Sequence, residues 1–164
     1  MGESGVEYQS SGRKWHKPEL MLIGEYTHIL DSKSRVAVPA RFRKELGRKV
    51  VITRGLDACL AVYPIKEWSK VAEKISGLSM GQSDTRGFSR FMLSGATETD
   101  IDSMGRILIP DFLKEFSGLK TELVFAGGHR KVEIWDRARW KEYQASVVPK
   151  ADKLAEKLGE VGAI

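Results

Sequence analysis

Asp31-Ser32-Lys33-Ser34-Arg35-Val36-Ala37-Val38-Pro39 returns 71 residues later as Asp102-Ser103-Met104-Gly105-Arg106-Ile107-Leu108-Ile109-Pro110. Self-similarity at a fixed spacing is the mark of a duplicated supersecondary unit, and the likeness extends outward from this block in both directions. Glu25 to Leu30 and Ala96 to Ile101 read as strands leading into the Asp. Ala40 to Leu46 and Asp111 to Ser117 read as short amphipathic helices, with Phe42 and Leu46 answered by Leu113 and Phe116. Hairpins follow: Val50 to Thr53 with Leu60 to Tyr63 around Gly55, and Glu122 to Ala126 with Lys131 to Trp135 around Gly127-Gly128, the second carrying the stronger turn signal.

Each copy then closes on a helix with a tryptophan near its start, Lys66-Glu67-Trp68 in the first and Arg137 to Trp140 in the second. Within Glu67 to Leu93, Trp68, Val71, Ala72, Ile75 and Leu78 fall at helical spacing before a break at Gly77 to Thr85. The order in a unit is therefore strand, turn, strand, short helix, hairpin, long helix. Four short strands do not bury their apolar faces alone, and pairing the two copies closes a barrel-like core and removes exposed edges. The predicted organisation is a tail over 1–20, a first unit over 21–66, linking helices over 67–94, a second unit over 95–136 and a C-terminal helix and tail over 137–164. Residues 1–20 are polar and aperiodic, with Pro18 against a long helix, and are expected to be disordered.

At 164 residues, 41% hydrophobic and 30% charged, the chain can bury one sizeable core or two small ones. No run approaches the length of a membrane-spanning helix, and the first twenty residues lack a secretory signal's apolar stretch; a cytoplasmic protein is expected. The single Cys59 has no partner for a disulfide and no neighbour at metal-ligand spacing, which predicts a small buried residue in a strand and no metal site.

The net charge of +5 is compatible with a nucleic-acid partner without requiring one. Matched windows sharpen it: residues 29–68 hold nine Lys or Arg against four acids, whereas residues 100–139 hold seven of each. Arg41, Arg43, Lys44, Arg48, Lys49 and Arg54 create that excess and suit phosphate contacts, which makes the first copy the expected nucleic-acid face. The plain alternative for each is a solvated helix or turn surface. Tyr63, Trp68, Trp135 and Trp140 are not interleaved with the basic residues and read as core rather than stacking platforms.

In the repeated motif, Asp opens a tight reversal and its side chain can accept backbone amides. Arg follows where the chain re-enters a strand, with its planar fork available to a phosphate or a guanine edge, and Lys33 adds a cation in the first copy. The plain reading is that each Arg pairs with its own Asp. The repeated Asp-x-x-x-Arg before an apolar strand and Pro resembles the MraZ family, whose two units have the swapped-hairpin fold of AbrB-type regulators. Met21-Leu22-Ile23-Gly24-Glu25-Tyr26 and Leu60-Ala61-Val62-Tyr63-Pro64 with Trp68 add to the likeness, which covers about residues 21–145.

The resemblance implies an α+β fold of tandem AbrB-like β-barrel units related by a pseudo-twofold. It also implies a nucleoid-associated regulator of the division and cell-wall gene cluster, its own gene included, working as a homo-oligomeric ring, often an octamer, on repeated elements of double-stranded promoter DNA. It puts DNA contact on Arg35 and Arg106, with Lys33 assisting and Asp31 and Asp102 shaping the turns; Arg41 and Arg43 join them on charge alone. No cofactor, small-molecule substrate or membrane partner is expected. Two positions depart from the pattern: Ser34 stands where the family usually has Gly, at a strain cost if a positive φ is needed, and Met104 stands where the first copy has Lys33, which makes the second copy the weaker contact.

Two other readings use the same residues. As an enzyme, the chain offers scattered His16, His28 and His129, no phosphate-cradling loop and no nucleophile motif; its best device is Asp31 and Asp102 as a carboxylate pair with one raised pKa. As an antitoxin-like module it would bind a protein through an exposed apolar patch rather than a basic turn.

Overall fold

The computed structural model describes residues 20–164. It contains eight strands and six helices in an α+β arrangement: β1 (Glu25–Ile29), β2 (Arg35–Ala37), α1 (Ala40–Leu46), β3 (Lys49–Arg54), β4 (Leu60–Pro64), α2 (Ile65–Ser76), α3 (Ser83–Ser94), β5 (Thr97–Asp100), β6 (Arg106–Leu108), α4 (Asp111–Ser117), β7 (Glu122–Gly127), β8 (Val132–Asp136), α5 (Arg137–Val147) and α6 (Ala151–Glu160). The tail expected over 1–20 lies, through residue 19, outside the described residues.

Strand pairing crosses between the copies. One antiparallel sheet runs β1-β7-β8-β4-β3-β5, and β2 pairs with β6 as a separate two-stranded ribbon. The hairpin of each copy is thus flanked by the first strand of the other: β1 lies on β7, and β5 lies on β3. Corresponding residues also meet. Val36 faces Ile107 in the ribbon, and Ala61 faces Glu133 where the two hairpins join.

The sequence pattern explains which strands lie where. Val50 to Thr53 and Leu60 to Pro64 are buried without interruption, as befits strands covered on both faces, while β1 and β5 alternate between exposed and half-buried residues as sheet edges do. Both copies fill one core. Val36, Val38 and Phe42 from the first pack with Ile107, Ile109 and Leu113 from the second against Ile52, Leu60, Leu123, Phe125 and Ile134. Each such side chain withdrawn from water contributes about 1.5–3 kcal/mol, and neither copy holds enough of them to close a core by itself.

Local signals place the helices. Pro39 and Pro110 precede α1 and α4, where a fixed φ and a missing amide cost nothing. Gly47 and Gly118 end them at positive φ. Ser117, not Phe116, takes the buried place that Leu46 holds in the first copy, because the helical register puts residues four apart on one face. The aromatic side chains assigned to the core are buried at Tyr63 and Trp135 and half-buried at Trp68 and Trp140. Cys59 is fully buried, but at the exit of a 3-10 turn one residue before β4, where its thiol donates to the Leu56 carbonyl at 3.2 Å. Burial, with the Glu133 carboxylate beside it, pushes that thiol far above its ordinary pKa.

Candidate nucleic-acid interface

The two Asp-x-x-x-Arg segments fold as the same turn. Asp31 Oδ1 accepts the amides of Lys33 and Arg35 at 2.8 and 2.9 Å, and Asp102 Oδ1 accepts those of Met104 and Arg106, both at 2.9 Å. The second oxygen of each carboxylate holds the Nε of its own arginine, at 3.3 Å for Arg35 and 3.0 Å for Arg106. Both carboxyls lie below their ordinary pKa, chiefly because the arginine amide donates to the charged form, with partial desolvation opposing. The carboxylate pair of the enzyme reading, with one pKa raised, is therefore not what these aspartates form.

The plain reading of the motif, Arg paired with its own Asp, is what the geometry contains. It engages only Nε, and among the described residues no hydrogen bond occupies the Nη groups of either arginine. Each side chain is thereby held in one orientation with the outer edge of its guanidinium free to accept a bidentate partner.

The ribbon sets where these forks point. Val36 and Ile107 face the core, so alternation turns Arg35, Ala37, Arg106 and Leu108 to the other face. Arg35 lies opposite Leu108 and Arg106 opposite Ala37, so the two arginines are diagonal neighbours, with Cβ atoms about 7–8 Å apart in a regular ladder. The turns are tied to the opposite copy at their far ends, Ile109 N donating to Ser34 O and Val38 N to Gly105 O, each at 2.8 Å.

Ser34 has φ 61° and Gly105 φ 78°, so the turn does demand the left-handed region, and Ser34 carries the strain anticipated from the sequence. The two positions receive different cations from the other copy's short helix. Lys114 Nζ donates to Ser34 Oγ at 2.8 Å. Over Gly105 lies the guanidinium of Arg43, so close that a Cβ there would sit 1.7 Å from Nη1. Arg43 and Lys114 are themselves 71 residues apart, equivalent positions of the repeat.

Of the residues singled out in the sequence, the ribbon and its turns bring together Lys33, Arg35, Arg106, Arg43, Asp31 and Asp102, while Arg41 lies exposed on α1. Arg43, Lys44 and Arg48 line one side of an open groove, with Asp102 and Ser103 on the other. Lys114 was not foreseen; the repeat spacing from Arg43 is the signal that points to it. His28 was read as one of three scattered histidines, and its Nδ1 donates to the Ala37 carbonyl at 2.5 Å, tying β1 to the ribbon. Among the described residues there is no group of three potential metal ligands and no helix long and apolar enough to cross a membrane.

Comparison with known proteins adds to this geometry. The family model of the MraZ protein, whose description likens it to antitoxins, matches twice, over residues 21–91 and 92–159. Relatives include the transcriptional regulator MraZ of Moorella thermoacetica, 48% identical over 138 residues, which are 84% of this chain and 96% of the relative. Those of Caldanaerobacter subterraneus subsp. tengcongensis and Clostridium beijerinckii are both 46% identical, over 84% and 87% of this chain and 96% and 99% of their own lengths. With a duplicated unit, a motif at matched positions of both copies and relatives matched nearly end to end, the chain belongs to the MraZ family.

Proposed function

We propose that the chain is a sequence-specific DNA-binding transcriptional regulator that acts on repeated elements of promoter DNA, its own gene and the division and cell-wall cluster among the targets. The observation that carries this reading is the outward face of the β2–β6 ribbon. Arg35 and Arg106 stand there side by side, each clamped through Nε by an aspartate that leaves the outer fork open. A two-stranded ribbon fits the major groove of B-DNA, where a bidentate arginine reads O6 and N7 of guanine. Holding the fork in place beforehand lowers the ordering cost of binding. Lys33, Arg41 and Arg43 are placed to meet phosphates on either side, which sets register without reading sequence. The name carried by the relatives, transcriptional regulator, agrees with this.

The same proposal takes the crossed strand pairing as two AbrB-type units with swapped hairpins, over 21–66 and 95–136, with a pseudo-twofold through the Val36–Ile107 and Ala61–Glu133 pairs. Several chains in a homo-oligomeric ring, an octamer being the expected size, would each offer one ribbon to tandem DNA repeats, so that weak single contacts add through effective concentration. Such a regulator works in the cytoplasm at the nucleoid, without catalysis or cofactor. The test is Arg35→Ala on the DNA upstream of the gene, read by fluorescence anisotropy. A variant with an unchanged far-UV spectrum should bind less tightly by roughly 1–3 kcal/mol per lost bidentate contact. Wild-type affinity in that variant would turn the reading toward a protein-binding module of the antitoxin kind.

A further inference from the structure

Helices α3 and α6 occupy the same place in the two copies: each follows the tryptophan-bearing helix, and each closes one of the two family matches. Their surroundings differ. The first buries Ser89 and Met92 and is bonded to the sheet, with Thr53 Oγ1 donating to the Met92 carbonyl at 2.7 Å and Arg54 Nη1 to that of Phe91 at 3.1 Å. The second buries nothing, and every residue from Val148 to Ile164 is exposed. Its sequence is nonetheless that of a packed helix. Leu154, Leu158 and Val161 form a stripe with Ala151 and Ala155, and Asp152, Glu156 and Glu160 run beside it at four-residue intervals. None of those three acids has an ion-pair partner among the described residues.

The same chain leaves a groove open between α2 and α3. It measures about 310 Å³, with Tyr63, Val71, Ile75 and Phe88 in its lining and Lys74 and Lys131 at its edge. Phe88 is 41% exposed there. Lys131 lies 3.5 Å from Glu133, while Lys74 has no ion-pair partner among the described residues. The groove therefore offers apolar walls with cations at the rim, and α6 offers an apolar stripe with acids along its side.

We propose that α6 of one copy docks in the α2–α3 groove of a second copy, apolar stripe inward and acidic row toward Lys74 and Lys131. The two surfaces are different and each chain carries both, so the contact is head to tail and repeats from chain to chain, closing a ring where the rotation allows. This rests on the ring of the proposed function only in requiring self-association, and supplies the contact that would build it.

Sedimentation velocity of the full chain and two variants decides the matter. Leu154→Glu with Leu158→Glu disables the tail at exposed positions; Phe88→Glu with Lys74→Glu disables the groove. Each variant alone should sediment as single chains where the wild type assembles, and an equimolar mixture should give a two-chain species and nothing larger, since one intact tail meets one intact groove. A tail variant that keeps the wild-type assembly, or a mixture that stays as single chains, would overturn the docking while leaving self-association standing. A wild type that itself sediments as single chains at tens of micromolar would overturn the ring and the docking together, while DNA binding by Arg35 is judged separately by the anisotropy experiment.

Discussion

The Asp31 turn and the Asp102 turn share a backbone and the same Asp-to-Arg clamp, yet three side chains around them differ. The first carries Lys33 at its tip, Ser34 at the left-handed position and Lys114 hydrogen-bonded to that serine. The second carries Met104, 67% exposed, at its tip, Gly105 at the left-handed position and Arg43 lying over the glycine. The glycine relieves strain and makes the room that Arg43 occupies. The serine is strained, but its hydroxyl gives Lys114 an acceptor. The pair shows how a duplicated motif diverges: the conformation and the carboxylate clamp stay fixed, while the cation supplied from the other copy changes with the space it is given. Each turn keeps one borrowed cation, and only the first has a cation at its own tip.

The largest effect should come from the clamped arginines. Arg35→Ala and Arg106→Ala both weaken binding to the upstream DNA, Arg35→Ala by roughly 1–3 kcal/mol and Arg106→Ala by less, because Lys33 has no counterpart in the second turn. Equal losses, measured by anisotropy under one salt condition, would erase the functional difference between the turns.

Next comes Gly105→Ser, which writes the first turn's residue into the second. A side chain held at that φ costs about 1–2 kcal/mol, and Arg43 must swing away. The urea midpoint should fall, and should fall less when Arg43→Ala is already present. Identical losses in the two backgrounds would mean that Arg43 and Gly105 are not coupled.

The carboxylates should behave alike in the two turns. Both have their folded pKa depressed, so the stability each contributes is present above the ordinary value of 3.8 and is lost as pH falls through the lower folded value. Asp31→Asn and Asp102→Asn should therefore unfold at lower urea than the wild type at neutral pH and approach it in acid. A gap that stays constant with pH would show that charge is not what the clamp uses. The smallest effect belongs to Ser34→Gly. Release of left-handed strain is opposed by a more flexible unfolded chain and loss of the Lys114 bond, so the urea midpoint should move by less than about 1 kcal/mol.

Much of this was legible in the residues. The repeat of Asp31 to Pro39 as Asp102 to Pro110 marked the turns, and alternation placed the strands and the direction of Arg35 and Arg106. Charge counting picked out Arg43, though not its position, because a residue that reaches the other copy's turn is placed by strand crossing that local periodicity does not encode. The same reason hid Lys114, whose window has no net charge to attract notice. The ion pair with the motif's own aspartate had seemed a rival to ligand binding; the geometry reconciles the two, since Nε is used and the Nη groups are not.

The central claim is that the ribbon face reads DNA. Its most direct test is the affinity of the wild-type chain for its own upstream DNA and for a scrambled duplex of equal length, followed over a salt series. The account predicts that affinity for both falls as salt rises, as phosphate contacts require, while a clear preference for the upstream sequence persists at every salt concentration. Equal affinity for the two duplexes throughout the series would contradict it.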